Sequence, residues 1–379
     1  MNWKSLLLAI LLISCGGPNP GATSSVSEGE PLPLHYAKGF RARTLPSGVT
    51  LLTITQPWPG ADRPYHYALV PRDKAGLVLP DTLDAVIPVP VRRVVLTSTT
   101  HIPALEILDA GETLIGFPGL SYISSPQTAQ RIGRGEIAEL GANEQLNTEK
   151  VLEVRPDLVV GFGITDAPRA YRGILGAGIP VIYNGDWTEQ DPLGKAEWLK
   201  FFGLLLDKRQ EAAAAFKQVE AEYLRVRELA ATAVEKPTVL SGALYRDVWY
   251  LPGGQSWAAR FLEDAHAAYL WRDTPGTGSL SLSLEAVLQE ASEADFWVSP
   301  SQYTSYSQMQ QADPHYARFK AFREKKVLTY AASKGPGGGL TYFELGPSRP
   351  DLILKDLIHY LHPGLLPDHE PVFYKPLDP

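Results

Sequence analysis

A stretch of this chain, Leu146 to Val160 (LNTEKVLEVRPDLVV), recurs in degraded form at 282 to 298 (LSLEAVLQEASEADFWV), which implies two similar lobes. In each copy a polar residue suited to an N-cap, Asn147 or Ser283, precedes a Glu in the first helical turn, Glu149 or Glu285. A short apolar helix follows, then an Asp, then an apolar run fit for a buried strand. Each copy therefore reads as helix, turn, strand.

Around the echo the chain alternates in the same way. Strand candidates Val94–Leu96, Leu114–Gly116, Leu158–Val160 and Val181–Tyr183 are separated by helical stretches, the pattern of a parallel α/β lobe. The alternation restarts at Val239 and ends with a helix from Pro350 to Leu361. Between the two runs lies a long helix with Phe216, Val219, Tyr223, Val226 and Leu229 at helical spacing, opened by a capping box at Asp207–Gln210. The expected fold class is α/β, with two Rossmann-like lobes on parallel sheets, one long connecting helix and a small N-terminal β extension. That extension is read from short strands such as Val49–Ile54 and Tyr65–Val70; covering a sheet edge is its expected role, with lining the cleft or lengthening the sheet as the alternatives.

The N-terminus carries a different signal. A short positive region is followed by the apolar run Ser5–Leu12 and by Leu12-Ile-Ser-Cys15, which together read as a lipoprotein signal peptide. The apolar run is too short to span a bilayer, which takes about 20 residues. Cys15 is the single cysteine, so disulfides, thiolate zinc sites and cysteine nucleophiles are excluded, and lipidation is its expected use. The expected organisation is 1–15 signal peptide, 16–35 flexible tether, 36–206 first lobe with extension, 207–231 connecting helix and 232–379 second lobe. The net charge of -7, without any Lys/Arg run, argues against nucleic acid as a partner.

Taken in order, Arg93–His101, Asn147–Val160, Ala177–Tyr183, Gly253–Trp257, Ser283–Glu285 and Leu361–Pro363 resemble the substrate-binding proteins of ATP-driven (ABC) importers for ferric siderophores, vitamin B12 and haem. The second copy departs from that family's pattern, with Glu293-Ala-Asp295 where a Pro-Asp pair is usual. The resemblance implies a lipid-anchored, non-enzymatic, monomeric protein in the periplasm or on the cell surface. It would capture an iron chelate and deliver it to a permease and its ATPase, without a cofactor of its own. A corrinoid and then haem are the alternative cargoes, and an enzyme acting on a metal complex is the rival from another class. Small closure on binding is expected of lobes joined by a stiff helix.

Ligands of such sheets sit beyond the carboxyl ends of the strands. On that rule the ligand-binding candidates are His101, Tyr122, Phe162, Trp187, Arg246, Trp249, Trp257, Tyr303 and Lys334. The aromatics suit a broad, flat or greasy cargo, and Arg246 and Lys334 would offset the charge of a ferric chelate. Packing is the alternative reading of each aromatic, and ordinary solvation that of each cation. The resemblance also implies that Glu149 and Glu285, one per lobe, dock on permease arginines. Favourable placement at a helix N-terminus, about 0.3–1 kcal/mol, is their alternative reading. No zinc motif is present, and Gly335-Pro-Gly-Gly-Gly339 is not a phosphate loop because its Lys precedes the glycines.

Overall fold

The computed structural model describes residues 29–378, apart from 75, 77–78, 143–144 and 164–168. Cys15 and most of the expected tether lie outside the described residues. The tether's last part does not behave as one. Glu30–Pro31 pairs with Phe40–Thr44, and the backbone N–H groups of His35, Tyr36 and Ala37 donate to the buried Glu197 carboxylate at 2.8 to 3.0 Å.

The first lobe is built on a five-stranded parallel sheet in the order Val181–Tyr183, Leu158–Gly161, Val94–Leu96, Leu114–Phe117, Ala138–Glu139. Three of these strands, Val94–Leu96, Leu158–Gly161 and Val181–Tyr183, are buried at every residue, as a sheet covered on both faces requires. The second lobe repeats the plan with Ala268–Tyr269, Thr238–Ser241, Phe296–Val298 and Val327–Thr329 in parallel, closed by antiparallel Lys375–Pro376.

The echo has a structural counterpart. Asp157 accepts from the backbone N–H of Arg92 and Arg93 at 2.9 and 3.2 Å, where the neighbouring strand begins. Asp295 accepts from the backbone N–H and hydroxyl of Thr238 at 2.9 and 2.8 Å, at the start of its own neighbouring strand. Each carboxylate thus ties two parallel strands together at their entry, satisfying donors that no ladder partner reaches.

The helix Arg209–Ala230 joins the lobes and, at about 1.5 Å per residue, is roughly 33 Å long. Ala212 belongs to the first lobe's core, while Tyr223, Val226 and Ala230 belong to the second's. Tyr223 also donates to Asp264 at 2.6 Å. The capping box expected at Asp207 is absent, because Asp207 adopts a left-handed conformation (φ 57°) and the helix begins after Lys208 without a side-chain cap.

The extension is a sheet of its own, in the order Glu30–Pro31, Phe40–Thr44, Thr50–Ile54, Tyr65–Pro71, Ala85–Val89. Period-two alternation turns Phe40, Ala42, Leu52, Ile54, Tyr67 and Leu69 to one face. That face shares a core with the helices Ile102–Ile107 and Leu199–Leu205. The extension therefore adds a layer to the first lobe, and it also meets the parallel sheet's edge strand Val181–Tyr183, where the Tyr183 N–H donates to the Tyr67 phenol at 3.3 Å and Trp58 and Tyr65 pack on the Tyr183 ring.

Candidate ligand cleft between the lobes

The strand order of the first lobe reverses direction between Val94–Leu96 and Leu158–Gly161, so the loops leaving these two strands diverge and open a crevice. Thr97, Ser98 and Thr99 leave one strand and Phe162 the other, and all four line a cavity of about 640 Å³. Phe117, at the end of Leu114–Phe117, and Tyr122 beyond it extend the same wall. The second lobe supplies Gln302 after Phe296–Val298, and Lys334, Leu340 and Phe343 after Val327–Thr329. A larger hollow of about 710 Å³ lies on the extension, lined by Arg41, Thr53 and His66 among others. Of the two, the interlobe cavity is the one that stands where strand-end loops of both lobes converge.

The first-lobe wall is held rigidly. The Phe162 backbone N–H donates to the Thr97 hydroxyl at 2.9 Å and to the Tyr171 phenol at 3.1 Å. The Phe162 ring meets Trp187 edge-on at 5.9 Å, and the Trp187 indole donates to the Gly163 carbonyl at 3.2 Å. Tyr122 is 71% exposed and follows a turn in which Gly119 has a left-handed φ of 73°. A side chain at Gly119 would meet the Tyr122 ring at 2.8 Å. The N–H groups of Gly119 and Leu120 are fixed by the Glu139 carboxylate at 2.8 and 2.9 Å. Burial works against ionisation of Glu139, but backbone N–H groups outweigh it and hold its pKa below the ordinary carboxylate value.

Of the nine ligand-binding candidates, the structure brings Tyr122, Phe162 and Lys334 into the cleft and sets Trp187 behind Phe162. The other five stand elsewhere. His101 is fully buried against Phe202, with both ring nitrogens unpartnered, and burial lowers its pKa while nearby Asp186 opposes the shift. Trp249 is 0% exposed, stacked on Trp297 at 5.2 Å, with its indole donating to the Ser241 carbonyl. Arg246 lies in the turn between the strands Ala243–Tyr245 and Val248–Pro252, over the Tyr245 ring and outside the cleft. Trp257 packs between Tyr342 at 5.8 Å and the Lys195 ammonium at 5.3 Å. Tyr303 leans on Tyr316 at 6.0 Å.

The glycine run was not assigned to the cleft from sequence, yet it builds one side of it. A Cβ on Gly335 would lie 2.0 Å from the Ser124 carbonyl oxygen, and one on Gly339 would lie 1.9 Å from that of Tyr122. The run lets second-lobe backbone touch first-lobe backbone, which only glycine permits at such distances. The signal available in sequence was the clustering of glycines itself.

Electrostatically the cleft is spare. Lys334 is the one charged side chain among the described lining residues, and it is exposed. No group of three or more His, Cys, Asp or Glu able to hold a metal ion occurs among the described residues. Glu149 and Glu285 are both exposed in the first turns of Thr148–Val154 and Leu284–Ala291, whose caps Asn147 and Ser283 accept from Lys150 and Ala286. The Ser283 hydroxyl and the residue's own N–H lower the pKa of Glu285, its own N–H contributing most.

The family model described as periplasmic binding protein matches residues 94–333. An uncharacterized lipoprotein of Methanocaldococcus jannaschii is 28% identical over 287 residues, covering 73% of this chain and 67% of that protein. The fold is similar to that of a possible iron-binding (periplasmic solute-binding) protein from Staphylococcus epidermidis, with TM-score 0.57, 17% identity, and 72% of this chain and 99% of that one covered. It is also similar to a periplasmic haem-binding protein from Pseudomonas aeruginosa, with TM-score 0.57, 20% identity, and coverage of 76% and 99%.

Proposed function

The chain belongs to the periplasmic binding protein family, the substrate-binding components of ABC importers, and we propose that its cargo is a ferric siderophore of low net charge. The observation that carries this reading is the composition of the cleft: aromatic faces from Phe117, Tyr122, Phe162 and Phe343, small hydroxyls at Thr97, Ser98 and Thr99, and a single cation, Lys334. Aromatic faces suit a broad, partly apolar ligand, whereas a strongly anionic chelate would demand several cations to offset the loss of its hydration. A corrinoid is the second reading, favoured by the same scarcity of cations.

Titration with ferric hydroxamates, ferric catecholates, cobalamin and haem, followed by tryptophan fluorescence, tests the assignment. Trp187 behind Phe162 is the natural reporter. Saturable quenching by the hydroxamates and not by the catecholates is expected; a preference for the catecholates would overturn the low-charge reading.

We further propose that Cys15 carries the lipid anchor and that Glu149 and Glu285 dock on the permease. The lipobox-like sequence at Leu12–Cys15 and the lipoprotein name of the Methanocaldococcus relative support the first. The equivalent exposed positions of the two carboxylates support the second. A Cys15→Ser protein should leave the membrane fraction. Reversing both charges, Glu149→Arg with Glu285→Arg, should abolish uptake while cargo affinity stays unchanged, and a loss of affinity instead would remove the docking role.

A further inference from the structure

The cleft has one wall that crosses from lobe to lobe. Lys334, Gly339, Leu340 and Phe343 line the cavity, and Gly335, Gly337 and Gly339 of the same stretch rest on the backbone of Ser121 to Ser124. Directly behind this wall lies Glu344, 2% exposed, on the short helix Thr341–Leu345 of the second lobe. Its carboxylate accepts the backbone N–H of Ser124 at 2.7 Å and of Ser125 at 2.8 Å, both from the first lobe. Ser125 caps the helix Pro126–Gly133, so the bonds reach a fixed point of that lobe.

We propose that Glu344 is a positioning residue for cargo binding, bridging the lobes so that the wall bearing Lys334 and Phe343 is held in its closed place. The inference rests on the reading of the cleft as the cargo site. Phe343 and Glu344 share the helix Thr341–Leu345, so a movement of that helix away from Ser124 carries the ring with it. Opening the bridge frees two backbone donors that the closed state buries, and they must then find water.

The charges around the bridge make it sensitive to protons. Burial pushes the pKa of Glu344 up to about 7, against the backbone N–H bonds, and the carboxylate of Glu106 adds to the rise. Glu106 lies on Ile102–Ile107 and accepts from the hydroxyls of Ser125 and Thr128. On the neighbouring turn Thr99–His101 the His101 ring is buried, and burial lowers its pKa against the pull of Asp186, which disfavours a compensating positive charge there. In an open state Glu344 meets water and returns toward its ordinary 4.5. The closed form therefore holds the proton more tightly, and raising the pH favours opening. Across the whole span from 4.5 to 7, the closed-to-open ratio should fall by up to about 300-fold.

The test is the distance between spin labels at Glu153→Cys and Glu290→Cys in the full chain carrying Cys15→Ser, without cargo, from pH 5 to pH 8. The unaltered Glu344 protein should shift toward longer distances as the pH rises. Glu344→Gln, which cannot ionise and keeps one acceptor for the two N–H groups, should show a distance that does not change with pH, and Glu344→Ala should be open throughout. A ferric hydroxamate should bind the Ala variant at least about tenfold more weakly, with binding partly restored in the Gln variant. Indistinguishable distance distributions in all three, or a Gln variant that follows the same pH shift, would overturn the proposal. The comparison of Gln with the unaltered protein decides even where the Ala variant does not fold. The distance arms use no cargo, so a wrong cargo assignment leaves them intact.

Discussion

The first lobe presents Phe162 to the cleft from the end of a strand, whereas the second buries Trp249, which also follows a strand, in a core. Phe162 follows directly on the strand Leu158–Gly161 and lines the cavity. Trp249 comes after Thr238–Ser241, the second lobe's counterpart of Val94–Leu96, yet it is sealed among Trp297, Tyr316 and Phe319. The cause is local. After Gly242 the chain folds into a hairpin, Ala243–Tyr245 against Val248–Pro252, and strand alternation sends Trp249 and Leu251 inward and Tyr250 outward. The rule that ligands lie beyond strand ends holds for a loop that stays a loop. It fails where the loop becomes a further strand with its own inner face.

Substitutions that exchange these roles break the comparison most sharply. Trp249→Ala should cost about 3–5 kcal/mol of stability in denaturant unfolding, by loss of a large buried side chain. A cost below about 1 kcal/mol would mean the ring is not in the core. Gly339→Ala forces a Cβ against the Tyr122 carbonyl, and we expect a loss of about 1–3 kcal/mol together with weaker cargo binding. Stability and affinity falling together would mark this contact as shared by both lobes.

Phe162→Ala and Tyr122→Ala should act in the opposite sense to Trp249→Ala. Each should weaken cargo binding by about 1–2 kcal/mol, roughly 5- to 30-fold, with a smaller change in stability than Trp249→Ala. For Tyr122, most of the ring already faces solvent, so its removal leaves little cavity. Lys334→Met is the smallest expected effect. A few-fold loss of affinity at low salt should shrink in high salt, because the ammonium is exposed and screened. A loss that is independent of salt would assign Lys334 a direct hydrogen bond instead.

The lobed plan was legible because it rests on periodicity. Buried strands such as Leu158–Gly161 are unbroken apolar runs, and the Asn147 and Ser283 caps fall where the echo puts them. The site was legible only in part. Tyr122 and Phe162 follow strands by a few residues and were found by that rule, while Lys334 was found by its place after the last parallel strand. Trp249, His101 and Arg246 obey the same spacing yet lie outside the cleft, since spacing says nothing about which way a chain turns next. Gly335, Gly339 and Glu344 were missed because their work is contact between lobes, and contact between segments more than 200 residues apart leaves no local pattern. The extension's packing on the helices 102–107 and 199–205 was hidden for the same reason.

The account stands most directly on calorimetric titration of a ferric hydroxamate siderophore into the unaltered protein, Phe162→Ala and Trp249→Phe. It predicts saturable one-to-one binding to the unaltered protein, at least about fivefold weaker binding to Phe162→Ala, and near-normal binding to folded Trp249→Phe. Binding that survives in Phe162→Ala and disappears in folded Trp249→Phe would contradict it, placing the cargo site away from the interlobe cleft.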